Sequence, residues 1–271
     1  MGANIMSLKK LVKRGLIVAT IGAIAISLVG CGDKKETSNT MDKDTLILGF
    51  DDTFVPMGFK GDDGEYTGFD IEVAQAMSEK LGKEIKLQPI DWTMKETELD
   101  NENIDFIWNG FSITEERKKK VDFTQPYLSN KQIIITLSGA DIKTKEDLKD
   151  KVVAAQDQSS AVDAIGDYAD NFKELVTFPT NDDALRDLEA GRCDAVVADE
   201  VLSKYYINLK GKDKYVILDD NFGEEEYAVG VRKGDTKLVE AWNKAYNELV
   251  EDGTLSEISK KWFGEDIVLK Y

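Results

Sequence analysis

From residue 46 onward the chain alternates short apolar runs with segments of helical periodicity, and this alternation limits the possible folds more than any other feature. Runs at 46–50, 104–108, 131–136, 152–155, 194–198 and 227–231 have the length and composition of buried strands. Between them, segment 70–81 sets Ile71, Ala74, Met77 and Leu81 on one helical face and stops at Gly82. Segment 236–252 does the same with Leu238, Trp242, Ala245 and Leu249, and stops at Gly253. Strand and helix alternating in this way predict an α/β protein with mostly parallel sheets covered by helices. The Asp63-Gly64 pair between Phe59 and Tyr66 predicts a hairpin that interrupts the pattern near its start.

A short internal repeat adds geometry. Leu99, five residues, then Asp105 and Phe106-Ile107-Trp108 matches Leu188, five residues, then Asp194 and Ala195-Val196-Val197. Each is a helix end, a turn with an acid and a buried strand, which suggests two similar α/β lobes of ordinary size. In open parallel sheets, ligands bind beyond the carboxyl ends of the strands. That directs attention to Asn109-Gly110-Phe111-Ser112 in one lobe and to Asp199 in the other.

The amino terminus has its own logic. Lys9, Lys10, Lys13 and Arg14 precede an uncharged, apolar stretch from 15 to 30, and the first thirty residues contain no acid. This is the layout of a signal peptide, shorter in its apolar part than the roughly 20 residues of a spanning helix. The stretch ends in Leu28-Val29-Gly30-Cys31, the small-residue-then-cysteine pattern of bacterial lipoprotein processing. Cleavage there would make Cys31 the lipid-bearing first residue, acylated with palmitate-type chains and held on the extracytoplasmic face of the cell membrane. Residues 31–43 are almost wholly polar and read as a lipid-anchored flexible tether.

Composition then excludes several chemistries. The chain has no histidine, so histidine general bases, histidine metal ligands and Ser-His-Asp triads are out. With Cys31 lipidated only Cys193 remains, which leaves neither a disulfide framework nor a thiolate metal site. Cys193 reads as a small buried hydrophobe. The net charge of −17 becomes more negative once the leader's basic residues are removed, which argues against nucleic acid as a partner. Acid clusters such as Asp62-Asp63 lack calcium-loop spacing. No cofactor or metal is expected.

Three features carry binding chemistry. Thr114 is the natural N-cap of a helix that places Arg117, rather than an acid, at the third helical position. A cation in the first turn opposes the helix dipole and calls for an anion. That anion is either a protein acid (Glu115, Glu116 or one from the other lobe) or a ligand carboxylate gripped in two parallel hydrogen bonds. Ser159 and Ser160 precede another helical segment and serve either as caps or as an anion seat. Asp199 follows an apolar strand and either caps the helix starting at Glu200 or holds an ammonium. Together these supply a grip for the carboxylate and ammonium of one α-amino acid. Trp92, in a turn after Asp91, is a pocket candidate; Trp108 suits core or pocket, and Trp242 and Trp262 suit packing.

The runs Gly68-Phe69-Asp70-Ile71, Ile113-Thr114-Glu115-Glu116-Arg117 with Asp122-Phe123-Thr124 and Pro126-Tyr127, and 191–199 resemble the polar amino-acid solute-binding proteins of ABC importers. So do the endings Asp252-Gly253-Thr254-Leu255 and Lys261-Trp262-Phe263-Gly264, and the resemblance covers residues 44 to 266. It implies a two-lobed periplasmic-binding-protein type II fold with the ligand cleft between lobes, working as a monomer that delivers its ligand to a membrane permease. Lobe 1 would comprise 44–128 plus 226–271 and lobe 2 residues 129–225, with crossings near 127–131 and 225–227. Carried over by position, Arg117 would bind the ligand carboxylate, helped by Ser112, Ser159 and Ser160. Asp199, the Gly110 carbonyl and the Ser112 hydroxyl would bind the α-ammonium. Phe54 would cover the ligand, and Asp51 would face a cystine, glutamine or basic side chain. Gln158 departs from the glycine usual before the serine pair, and Trp92-Thr93-Met94 and Trp108-Asn109-Gly110 are distinctive pocket segments. The resemblance implies no catalysis. The competing reading, a dehydratase acting on a cyclohexadienyl amino-acid precursor on the same scaffold, would need Asp51, Asp91 or Asp199 as general acid.

Overall fold

The computed structural model describes residues 39–211 and 213–271. The segment expected to be a signal peptide, Cys31 and the expected tether up to residue 38 lie outside the described residues. In chain order the first strands are β1 (Thr45–Phe50), β2 (Thr53–Phe54), β3 (Gly58–Lys60), β4 (Tyr66–Thr67), β5 (Glu84–Pro89), β6 (Phe106–Ile107) and β7 (Val121–Phe123). They are followed by β8 (Leu128–Leu137), β9 (Val152–Gln156), β10 (Glu174–Phe178), β11 (Ala195–Asp199), β12 (Tyr215–Tyr227) and β13 (Gly230–Arg232). The α-helices are α1 (Phe69–Leu81), α2 (Lys95–Asp100), α3 (Glu115–Lys120), α4 (Ser160–Ile165), α5 (Asn181–Glu189), α6 (Glu200–Lys210), α7 (Thr236–Glu251) and α8 (Thr254–Phe263).

Two five-stranded sheets form, in the orders β5-β1-β6-β13-β7 and β10-β9-β11-β8-β12. Each is mixed. β5-β1-β6 and β10-β9-β11 are parallel, while β13 and β7 in one sheet and β8 and β12 in the other run antiparallel to their neighbours. The antiparallel half exists because β8 and β12 are the strands that carry the chain into and out of the second sheet. The chain leaves the first sheet after Phe123 and joins the second at Leu128, then returns between Tyr227 and Gly230. The apolar run 227–231 is therefore not one strand: Tyr227 still pairs with Leu128, whereas Gly230 pairs with Phe123 and Ile107.

Helix α1 buries Ile71, Ala74 and Met77 and ends where Gly82 adopts φ 61°, the left-handed cap that glycine takes most readily. Helix α7 buries Leu238, Trp242, Ala245 and Leu249 and packs against α1 over the first sheet. The Asp63-Gly64 turn joins β3 to β4, which pair antiparallel. Strands β5 and β10 were not visible as apolar runs, because both are sheet edges whose sequences, EIKLQP and ELVTF, keep polar residues toward solvent.

The internal repeat has a structural counterpart. β6 and β11 occupy equivalent places, third in each sheet and parallel to the second strand, β1 in one and β9 in the other. The Asp105 carboxylate accepts the Ile47 N–H at 3.0 Å, and the Asp105 N–H donates to the Ile47 carbonyl at 2.7 Å. Asp194 makes the same two bonds with Val152, at 2.8 Å each. In both lobes one aspartate locks the start of this strand to its parallel neighbour.

The end of the predicted tether needs correction. Thr40–Asp42 form a 3-10 turn, and Thr40 is buried, with its hydroxyl bonded to Asp235 and receiving Arg232 Nη2 at 2.9 Å. Lys43 reaches the buried Asp105 at 2.7 Å, and Arg232 reaches it at 2.6 Å. A buried carboxylate must be paired, and that need fastens residues 40–43 to the body.

Candidate functional site

The site sits beyond the carboxyl ends of β1, β6, β9 and β11, where the topology predicts it. Asp51 follows β1, Asn109 and Gly110 follow β6, Ser159 and Ser160 follow β9, and Asp199 closes β11. These residues, with Phe54, Trp92, Arg117 and Gln156, line a small, narrow cavity between the two sheets. Ser112 does not line it, but its hydroxyl lies 3.0 Å from Ser160 Oγ. Contacts cross from one lobe to the other around this space. Gln156 Nε2 donates to Asp51 Oδ2 at 2.7 Å, and the Gln158 carbonyl accepts from Lys95 Nζ at 3.3 Å and Arg117 Nη2 at 3.4 Å. The described conformation is thus a closed one.

Thr114 caps α3 by accepting the Arg117 N–H, which fixes Arg117 in the first turn. Glu115 and Glu116 turn outward to Lys118 and Lys119, so neither neutralises Arg117. Its guanidinium is buried, donates through Nη1 to the Ser112 carbonyl at 3.0 Å and lies 4.5 Å from the centre of the Phe111 ring. Among the described residues no carboxylate comes within 4.0 Å of it. Burial pushes its pKa down, and the more distant Asp163, Glu225, Glu96 and Asp199 only partly oppose that.

At Asp199 and the serine pair the capping alternative is not taken. Asp199 makes no side-chain cap to α6. Its Oδ1 accepts Asn130 Nδ2 at 2.6 Å, Gln132 Nε2 at 2.9 Å and the Tyr227 hydroxyl at 2.7 Å. Burial, and next the nearby Glu225, raise its pKa to about 7. Ser159 leaves α4 without a side-chain cap and donates instead to the Gln156 carbonyl at 2.7 Å. Ser160 accepts Gln132 Nε2 at 3.1 Å. Gln158 adopts φ 52°, a region in which an L-side chain costs roughly 1–2 kcal/mol and glycine costs little.

Asp51 is buried; Oδ1 accepts from Thr53 N at 2.9 Å and Thr53 Oγ1 at 2.6 Å. Burial raises its pKa despite these bonds. Gly110 has φ 57°, gives its N–H to Asp70 Oδ2 at 2.8 Å, and would place a Cβ 2.8 Å from the Phe54 ring. Trp92 is almost buried, packs edge-on against Phe111 and forms one wall of the cavity. Trp108 belongs to the core, wedged between Phe106, Tyr127 and Trp242. Asp91 stays outside the cavity, capping Thr93 from the surface with its pKa held down by those hydrogen bonds.

Asn109, in the segment singled out after β6, does line the cavity, whereas sequence reasoning missed Gln156, Asn130, Gln132, Glu225 and Lys95. The available signal was polar amides inside apolar strands, such as Asn130 and Gln132 in LSNKQIIITL. Lys95 is buried too; Nζ donates to the Trp92 carbonyl at 3.2 Å, and burial followed by the nearby Arg117 lowers its pKa to about 8. One pole of the cavity is thus a cation with spare donors and the other a carboxylate cluster, an arrangement suited to a zwitterion.

Known proteins resemble this chain along most of its length. The pattern defining the bacterial extracellular solute-binding proteins, family 3, matches residues 46–265. The L-cystine-binding protein TcyJ of Escherichia coli K12 is 33% identical over 257 residues, covering 92% of this chain and 96% of that protein. The arginine-binding extracellular protein ArtP of Bacillus subtilis is 30% identical, covering 93% and 98%. A solved ABC uptake transporter substrate-binding protein from Streptococcus pneumoniae with bound histidine superposes with a TM-score of 0.83 at 40% identity, covering 86% of this chain and 98% of that one.

Proposed function

The chain belongs to the bacterial extracellular solute-binding proteins of family 3, and from that premise we propose that it captures one polar α-amino acid between its lobes for delivery to an ABC permease. The observation that carries this reading is Arg117: a buried guanidinium with no carboxylate partner among the described residues, lining one cavity with Asp199 of the other lobe. Arg117 takes the ligand carboxylate in two parallel bonds, with Ser159 and Ser160 beside it. Asp199 takes the α-ammonium, with Ser112 and Gly110 close by. Phe54 and Trp92 flank the ligand, and Asp51 and Gln156 face its side chain. Because the poles come from different lobes, the ligand favours the closed state by its differential affinity.

Asp51 favours a side chain that offers N–H donors, and relatives named for cystine, arginine and histidine support a polar one. The ligand is therefore a basic amino acid, glutamine or cystine. A thermal-shift screen of the twenty amino acids plus cystine and ornithine tests this. A ligand at 100 times its Kd adds about 2.7 kcal/mol of stability. A panel in which no amino acid raises the melting temperature would overturn the reading. The protein performs no catalytic step, so incubation with prephenate or arogenate leaves both unchanged.

The same proposal extends to the anchor. Cys31 carries the lipid, residues up to 38 act as the tether, and the protein works as a monomer outside the cytoplasm. Cys31→Ser then releases the protein from membranes with ligand affinity intact; continued membrane association would return the anchor to the apolar leader.

A further inference from the structure

Glu225 does not line the cavity, yet it stands directly behind Asp199. It lies on β12 just before the chain returns to the first sheet, and its Oε1 receives donors from both lobes. Ser112 Oγ is 2.6 Å away, Asn130 Nδ2 2.7 Å, Gln132 Nε2 2.7 Å and Ser160 Oγ 3.3 Å. Asn130 and Gln132 also donate to Asp199 Oδ1, at 2.6 and 2.9 Å. Two carboxylate oxygens, one on the buried Asp199 and one on the partly buried Glu225, therefore converge on the same two amide nitrogens. Two like charges placed so closely cannot both ionise freely, and a proton or a cation between them relieves the repulsion.

The surroundings do not supply that cation. Among the described residues no lysine or arginine forms an ion pair within 4.0 Å of Asp199 or Glu225; the nearest such pair on β12 joins Lys131 to Glu224. Arg117 faces the cluster from α3 at longer range, with Asp163 and Glu96 facing it in turn. The Tyr227 hydroxyl faces Asp199, and Lys118, Lys131, Glu200, Glu224 and Glu226 line the hollow outside Glu225.

We propose that Glu225 is a positioning residue of the amino-acid site: its carboxyl group, converging with Asp199 on the same two amides, holds a proton on Asp199 in the ligand-free protein, and the arriving α-ammonium displaces that proton to solvent. The inference rests on the reading of Asp199 as the ammonium seat. The elevation of the Asp199 pKa to about 7 agrees with it. Glu225 also ties the Ser112 and Ser160 hydroxyls to this pole, so closing the lobes and assembling the ammonium seat become one event.

Isothermal titration in phosphate and in Tris, buffers of different ionisation enthalpy, counts the protons released. The probe is whichever member of the panel of twenty amino acids, L-cystine and L-ornithine gives the largest thermal shift. Wild type is expected to release about 0.9 proton near pH 6 and under about 0.1 near pH 8.5, and its affinity to fall about tenfold between pH 8 and pH 6. Glu225→Gln keeps the side chain's size and an acceptor oxygen, and should move that fall to lower pH and shrink the release near pH 6. A merely structural Glu225 would weaken binding equally at every pH. Amino-acid binding without proton release near pH 6, or an unmoved profile in Glu225→Gln, overturns this inference and leaves the binding function standing. Absence of binding by every member of the panel overturns both.

Discussion

Replacing Arg117 by methionine separates a ligand-binding arginine from a structural one. The guanidinium has five N–H donors. Two nitrogens are engaged, Nη1 by the Ser112 carbonyl at 3.0 Å and Nη2, more loosely, by the Gln158 carbonyl at 3.4 Å, so donors remain for a ligand carboxylate. Truncating one partner of a buried, hydrogen-bonded charge pair costs about 2–5 kcal/mol, so Kd should rise by roughly 30- to 5000-fold. The ligand-free fold should respond differently. No ion pair is lost, the stacking on Phe111 is replaced by thioether–aromatic contact, and a desolvated charge disappears. Ligand-free stability should stay within about 1 kcal/mol of wild type, or within roughly 2–4 °C in Tm for a chain of this size. Calorimetry and ligand-free thermal unfolding read the two quantities independently. Binding within threefold of wild type, or a loss of more than about 3 kcal/mol in the ligand-free protein, would refute the reasoning.

Other perturbations test the scaffold around this site. Gly110→Ala forces a Cβ to φ 57° and against the Phe54 and Tyr227 rings, so it should lose about 2–4 kcal/mol in denaturant unfolding and weaken binding with it. Gln158→Gly relieves the strain at φ 52° and keeps the carbonyl that Lys95 and Arg117 use; set against the freer unfolded chain, Tm should rise by the equivalent of about 0.5 kcal/mol. The twin aspartates should differ by burial: Asp105→Ala, which strands the Arg232 and Lys43 charges, should cost about 3–5 kcal/mol, and the exposed Asp194→Ala only about 1 kcal/mol. Asp70 is fully buried, and burial raises its pKa to about 7 against the Gly110 and Tyr127 hydrogen bonds. Its folded value exceeds its unfolded one, so its contribution is full below about pH 4 and is lost as pH rises through 7. Asp70→Asn should flatten that decline, measured as urea midpoints at pH 5 and pH 8.

Much of this protein was legible in its sequence because the relevant signals are local. Period and length mark α1 and α7, and both stop at the glycines that end the pattern. The Leu99 and Leu188 repeats mark β6 and β11, and the residues following those strands necessarily emerge at the carboxyl edge of a parallel sheet. The absence of histidine removes whole classes of catalysis without any coordinates. Arg117 in a first turn already signalled a need for an anion.

Choices among alternatives required the fold. Whether Arg117 pairs with Glu115 depends on where Lys118 and Lys119 point, and whether Asp199 caps α6 depends on Asn130, Gln132 and Tyr227 arriving from other strands. The splitting of residues 227–231 between two sheets is invisible to periodicity, since both halves are equally apolar. Gln156, Lys95 and Glu225 look like ordinary surface polar residues in the sequence; only the register of β9 and β12 and the approach of the lobes bury or engage them. Periodicity and composition are properties of neighbours along the chain, whereas hydrogen-bond partners and desolvation are set by residues far apart in sequence. The sequence therefore determined which groups demanded a partner, and the tertiary structure decided which partner each one received.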